Sequence, residues 1–205
     1  RLRAACERHD LSLNMLLLAA WSITLSKRSG GEDLVVGTPV YARHHADSKD
    51  AMGMFANTLA LRVRPRGELT VEAYLAQVRE VVLGALENGD YPFEELVEWF
   101  VLPRDASRNP LFDSLFVTQS FPARALSFDG VRVEPLELEA TTAKFDLSCF
   151  AAPEGDQVRL VFEYCSDLFR EATVRDLAAH FERLLGTICE AQTARIADLE
   201  GSTAV

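Results

Sequence analysis

Apolar positions along the chain fall into runs of two periods. Leu11 to Arg28 is rich in Leu, Ala and Met and apolar around most of its circumference, which predicts a buried helix. It stops at Ser29, Gly30 and Gly31, where glycine accepts the left-handed turn that ends a helix. Val71, Tyr74, Leu75, Val78, Val82 and Leu86 recur at helical spacing behind Thr70, a side-chain cap, and predict an amphipathic helix ending near Asn88. "YPFEELVEWF" reads as a short helix with Pro92 in its first turn, where a missing N–H costs nothing. Val174, Leu177, Ala178, Phe181, Leu184, Leu185 and Ile188 mark a last long helix, with His180 assigned to its polar side.

The remaining runs have strand character. "DLVVGTPV" is nearly all apolar, as in a strand covered on both faces, and "FANTLALRVRP" is a longer strand closed by Pro65, with a polar loop and one helical turn between them. "LFDSLFVTQSF" is an aromatic-rich strand, and Pro122 to Thr142, with weak alternation, an edge strand plus a long excursion. "KFDLSCFA" and "VRLVFEYC" alternate apolar and polar positions and are joined by "APEGDQ", a hairpin connection. With no internal repeat or Ser/Gly linker, the expectation is one α/β unit over residues 1–205, a mixed sheet packed with helices.

Composition narrows the class. A hydrophobic fraction of 48% with 25% charged residues is that of a globular chain, and 205 residues suffice to bury a core without staples. The longest apolar run, "MLLLAAWSITL", is too short to cross a bilayer, so no membrane partner is expected. A net charge of -10 argues against nucleic-acid binding, although "RVRPR" is a local basic patch. The scattered Cys6, Cys149, Cys165 and Cys189 form no metal-binding spacing and read as reduced, mostly buried thiols of a cytoplasmic protein. The chain opens on Arg1 inside a helical pattern, with no initiator methionine or signal peptide, and is expected to be a piece of something longer.

Taken alone, the residues give no catalytic constellation. His180 and the serines lack a Gly-x-Ser-x-Gly elbow, and "SGGED" lacks the Lys-Ser/Thr of a phosphate loop. Three strings alter the reading: "VVGTPVYAR" followed by "MGMFANTLALR", "DYPFEELVE", and "RDASRNPLFDSLFV". In order and spacing they resemble the late motifs of the condensation domains of nonribosomal peptide synthetases, and the ending from "TAKFDLSCF" through "FEYCSDLF" is similar to that family's C-terminal end.

The resemblance implies one lobe, the C-terminal, of a two-lobed chloramphenicol acetyltransferase-like domain. It implies an acyltransferase that forms a peptide bond between aminoacyl or peptidyl thioesters, which arrive on the phosphopantetheine arms of carrier proteins. The lobe itself would bind no cofactor and no metal. Its implied partners are the N-terminal lobe of the same domain, upstream and downstream peptidyl carrier proteins, and an adjacent adenylation domain.

The family's His-His-x-x-x-Asp-Gly motif belongs to the other lobe, and "HHADSKD" does not reproduce it. Counting from His44 and His45, Lys49 stands at the aspartate and Asp50 at the glycine. No catalytic residue is therefore expected here, and the isolated lobe is expected to be inactive. The candidate for lining the tunnel or positioning substrate is Asn57, whose amide both donates and accepts; its other reading is a residue that holds its own turn. Gly53, Phe55 and Thr58 are expected to frame it. In "DYPFEEL", Asp90 is expected to cap the helix that Pro92 opens while Tyr91 and Phe93 fill core; Arg104, Asp105, Arg108, Asn109 and Pro110 are expected to fix a loop, partly through ion pairs. Two other readings stand beside this one: a non-catalytic docking platform for carrier proteins or neighbouring domains, which Arg62, Arg64 and Arg66 would serve, and a lobe of an epimerisation domain.

Overall fold

The computed structural model describes residues 1–41, 51–100, 108–119, 130–131 and 142–199. Two helices lead, α1 over Leu2–His9 and α2 over Leu13–Ser29, followed by β1 over Leu34–Tyr41 and β2 over Ala56–Val63. Then come α3 over Val71–Glu87, α4 over Phe93–Trp99, β3 over Ser114–Thr118, β4 over Leu147–Glu154, β5 over Gln157–Tyr164 and α5 over Glu171–Glu190, with a final 3-10 turn at Ile196–Asp198.

The five strands form one sheet in the order β2-β1-β3-β4-β5. The outer pairs, β1 with β2 and β4 with β5, are antiparallel, while β3 runs parallel to β1 and to β4. Alternate residues, Val36, Leu61, Phe116, Leu147, Cys149 and Ala151, join one core with α2, α3 and α5. Helix α2 is central to it, and Leu16 through Trp21 are wholly buried. Ser12 starts this helix by accepting from the Met15 N–H at 3.2 Å, which is why it begins at Leu13 and not at Leu11, and Gly30 ends it at φ 73°. Its polar side chains satisfy themselves within the core: Ser22 donates to the Ala19 carbonyl and shares a 2.6 Å hydrogen bond with the Tyr74 hydroxyl, and Thr24 donates to the Ala20 carbonyl. Trp21 packs edge-on to Phe181 at 5.6 Å, and its Nε1 donates to Ser114 Oγ.

Thr70 caps α3 as expected, accepting from the Ala73 N–H at 3.2 Å. Three expectations change. His180 is fully buried on α5, because Leu177 and Leu184, three residues before and four after, place its position on the core stripe. The aromatic strand shortens to Ser114–Thr118, since Leu111 takes a left-handed φ of 68° just ahead of it. The β4–β5 connection tightens to Gly155 and Asp156, with Glu154 paired to Gln157. All four cysteines are free thiols; Cys149 and Cys189 are buried, whereas Cys6 and Cys165 are half-buried. The excursion expected over 122–142 lies outside the described residues except at Gly130, Val131 and Thr142. Among the described residues no helix is long and apolar enough to cross a membrane.

Candidate functional site

Asn57 is the second residue of β2 and its side chain is engaged on both sides of the amide. Nδ2 donates to the Gly89 and Tyr91 carbonyls, each at 2.8 Å. Oδ1 accepts from the Thr58 N–H at 2.8 Å and the Phe93 N–H at 3.1 Å. Two donor hydrogens and two acceptor lone pairs are the full capacity of an asparagine amide. The bonds tie the start of β2 to the connection between α3 and α4, which is more than the turn-holding alternative had in view.

The bond to Phe93 also settles how α4 begins. The first N–H groups of a helix have no partner within it. The residue before α4 is Pro92, which makes no side-chain cap, and the acceptor comes across the fold from Asn57. The capping role expected of Asp90 is thus corrected: Asp90 is exposed, two positions ahead of the N-cap. Tyr91 is likewise not core, being 49% exposed. Phe93 is half-buried, with its ring 5.5 Å from that of Phe112. No residue of α4 is fully buried; Phe93, Leu96 and Val97 are half-buried, and the Phe93 N–H is bonded to the Asn57 amide.

Phe112 joins the remaining motifs. It is 4% exposed, stacked on Phe145 at 5.5 Å, and its ring covers Gly37 of β1 so closely that a Cβ there would lie 2.1 Å away. The four strings read from the sequence therefore meet in one cluster, Gly37, Phe93, Phe112 and Phe145, with Asn57 as its polar tie. Sequence reasoning passed over Gly37, although an isolated glycine inside an apolar strand run is itself a sign of close approach.

The loop entering β3 is fixed as expected by an ion pair, Arg108 to Asp113 at 2.6 Å. Asn109 Nδ2 donates to the Lys144 carbonyl at 3.4 Å, and the Pro110 carbonyl accepts from the Phe112 N–H at 2.9 Å. Asp146, beside this pair, has its carboxyl raised above the usual range by desolvation first and by the Asp113 charge second, with Arg108 opposing. Ahead of β2, Phe55 is half-buried and Gly53 has φ 153°, a value side chains rarely adopt; Thr58 pairs with Pro39 of β1. Arg104, Asp105, His44 and His45 lie outside the described residues.

Two of the three arginines of the basic patch, Arg62 and Arg64, are paired with Asp33, while Arg66 is exposed. Arg62 donates to both Asp33 carboxyl oxygens at 2.8 and 2.7 Å and Arg64 to one at 3.2 Å, which holds the Asp33 carboxyl well below the usual carboxylate range. Among the described residues no group of three or more His, Cys, Asp and Glu is placed to hold a metal ion.

A mixed five-stranded sheet covered by helices is the α/β architecture of the chloramphenicol acetyltransferase-like fold. The sequence model of the condensation domain matches residues 1–203, and the chain belongs to the condensation-domain family. It is 41% identical over 191 residues to gramicidin S synthase 2 of Brevibacillus brevis, a match covering 92% of this chain and 4% of that protein. It superposes with a TM-score of 0.89 on a four-domain nonribosomal peptide synthetase bound to AMP and glycine, at 20% identity, covering 98% of this chain and 16% of that one. On the condensation domain of the monacolin K polyketide synthase MokA the TM-score is 0.82 at 21% identity, covering 96% of this chain and 46% of that one. The chain thus spans a small fraction of the synthetase and just under half of a single condensation domain.

Proposed function

We propose that this chain is the C-terminal lobe of a peptide-bond-forming condensation domain in a nonribosomal peptide synthetase. The observation that carries the reading is the family match along 1–203 combined with coverage of less than half of a complete condensation domain. In the complete domain the amine of a downstream aminoacyl thioester attacks the carbonyl carbon of an upstream acyl thioester. A C–N bond forms, the C–S bond breaks, and the phosphopantetheine thiol leaves with a proton that began on the amine. Such a reaction depends on holding two tethered reactants in attack geometry, with a histidine assisting the proton transfer.

That histidine belongs to the His-His-x-x-x-Asp-Gly motif of the N-terminal lobe, which the His44 and His45 spacing does not reproduce. The lobe is therefore inactive by itself and contributes one wall of the tunnel, with the carrier proteins, the N-terminal lobe and an adenylation domain as its partners in the cytoplasm. The phosphopantetheine arms reach it on those carriers. The reading as a docking platform through Arg62, Arg64 and Arg66 has less support, since Asp33 already engages the guanidinium groups of Arg62 and Arg64.

The test supplies donor- and acceptor-loaded carrier proteins to this 205-residue chain and to the same chain joined to its N-terminal lobe. Amide product only from the joined protein is expected; product from the chain alone would overturn the assignment of the catalytic group to the other lobe.

A further inference from the structure

Among the described residues, β5 is the last strand of the sheet and pairs with β4 alone. One step beyond that ladder, the Cys165 N–H bonds at 3.0 Å to the carbonyl of Asp146, which stands opposite it. Opposed residues of an antiparallel pair alternate between exchanging both hydrogen bonds and exchanging none. Carried back along the register, Gln157, Arg159, Val161 and Glu163 bond inward to β4, and the N–H and C=O groups of Val158, Leu160, Phe162 and Tyr164 point to the open edge. The side chains of those same four residues pack on the core face.

Beside this edge lies a groove of about 1100 Å³ between α1, α5 and the β4–β5 hairpin. Leu2, Leu13, Leu17, Val158, Leu160 and Leu185 give it an apolar lining, while Arg1, Arg3, Asp156 and Glu182 are exposed at its rim. Its size is above the roughly 300 to 1,000 Å³ of a small-molecule pocket. An eight-residue edge strand with open backbone groups and an apolar groove alongside is a template for one more strand.

We propose that the groove seats the stretch of the complete condensation domain that leads into α1, bound along β5 as a sixth, antiparallel strand. The inference rests on the reading of this chain as the C-terminal lobe, in which the rest of the domain joins at Arg1. The direction follows from the hairpin. Arg1 and Arg3 line the groove with Gly155, Asp156 and Gln157, where β5 begins, and Arg3 lies 4.0 Å from Asp156. A strand that arrives there to enter α1 runs opposite to β5. Its backbone supplies partners for the outward N–H and C=O groups of Val158, Leu160, Phe162 and Tyr164, and its alternate side chains, apolar, cover Leu13, Leu17 and Leu185.

Hydrogen exchange tests it on this chain and on the same chain extended before Arg1 by the preceding residues of the parent protein, about 15, enough for one strand and its turn into α1. In the extended chain the Val158, Leu160, Phe162 and Tyr164 amides are expected to exchange at least about ten-fold more slowly, while those of Arg159 and Val161, bonded to β4 in both proteins, change far less. That alternation separates strand addition from a general gain in stability, which slows neighbouring amides alike. Equal exchange of the outward amides in the two proteins overturns the proposal, as does uniform slowing along β5. Protection already present in the unextended chain, and growing with its concentration, makes a second copy the occupant and overturns it as well. The amide-forming assay is independent: outward protection without product from the joined protein sinks the proposed function and leaves the sixth strand, and product without protection does the reverse.

Discussion

A Cβ added to Gly37 would lie 2.1 Å from Cε2 and 2.3 Å from Cζ of Phe112, so the ring occupies the space any side chain at position 37 would need. The contact is made in the middle of β1, where Gly37 pairs with Ala60 of β2 and Leu115 of β3 and the strand cannot shift away without losing both ladders. Phe112 in turn is held between Phe93 and Phe145. Gly37→Ala is therefore expected to destabilise the chain by at least about 1 to 3 kcal/mol through overpacking. A denaturant midpoint that does not fall would refute this. Shortening the ring in Gly37→Ala/Phe112→Leu should recover part of the loss, because the two residues share one space and their effects do not add.

Cys149 gives an alkaline limit to stability. Burial pushes its thiol up to about 12 from an ordinary value of 9.0, and no charge partner contributes to that shift. The fold therefore favours the protonated form. Below pH 9 the thiol is protonated both folded and unfolded and its contribution is fully present; between pH 9 and 12 the unfolded chain releases the proton first, and stability falls by up to about 1.4 kcal/mol per pH unit. Tyr74, also raised by burial, adds to the loss above its ordinary value of 10.0. Unfolding midpoints measured from pH 8 to 10.5 should fall, and Cys149→Ala, though less stable at pH 8, should fall less steeply. Parallel slopes for the two proteins would show that Cys149 does not carry the effect.

The β4–β5 hairpin depends on Gly155, which has φ 61° as the first residue of a two-residue turn. Nothing lies within 4 Å of the Cβ that a substitution would add, so the cost is conformational alone. Gly155→Ala should cost about 1 to 2 kcal/mol, whereas Gly155→Asn, which tolerates the left-handed region better, should cost less. Equal melting temperatures for the two variants would exclude backbone strain as the cause.

Periodicity made the helices and most strands legible because each buries one stripe or face, and Thr70 was readable as a cap because its partner lies three residues away. Where the reading failed, the deciding partner was distant in sequence. The cap of α4 was sought locally at Asp90, yet its acceptor is Asn57, 36 residues earlier. Tyr91 and Phe93 look equally apolar, but among the described residues Phe93 meets the ring of Phe112 while Tyr91 is half exposed. His180 was assigned to the surface by its chemistry when its spacing from Leu177 and Leu184 already placed it inside. The strings carrying the family resemblance are visible one by one; that they converge on Gly37 and Phe112 is a property of the sheet order, which pairs Gly37 of β1 with Leu115 of β3, 78 positions later.

The loop carrying Arg108 holds a further consequence, in Asp146. Desolvation and the neighbouring Asp113 both raise its carboxyl, and Arg108, already paired with Asp113 at 2.6 Å, compensates only in part. A carboxyl raised by the fold binds its proton more tightly folded than unfolded. Its contribution is accordingly greatest below the ordinary value of 3.8 and is lost as pH rises through the folded value, so the charged form at neutral pH works against the fold. Asp146→Asn removes that charge while keeping the shape. It should raise the melting temperature at pH 7 and leave it unchanged near pH 3, where Asp146 is protonated in both states. The same substitution in an Asp113→Asn background should gain less, since one of the two causes of the shift is already gone. An Asp146→Asn protein no more stable than the parent at pH 7 would show that Arg108 balances the pair.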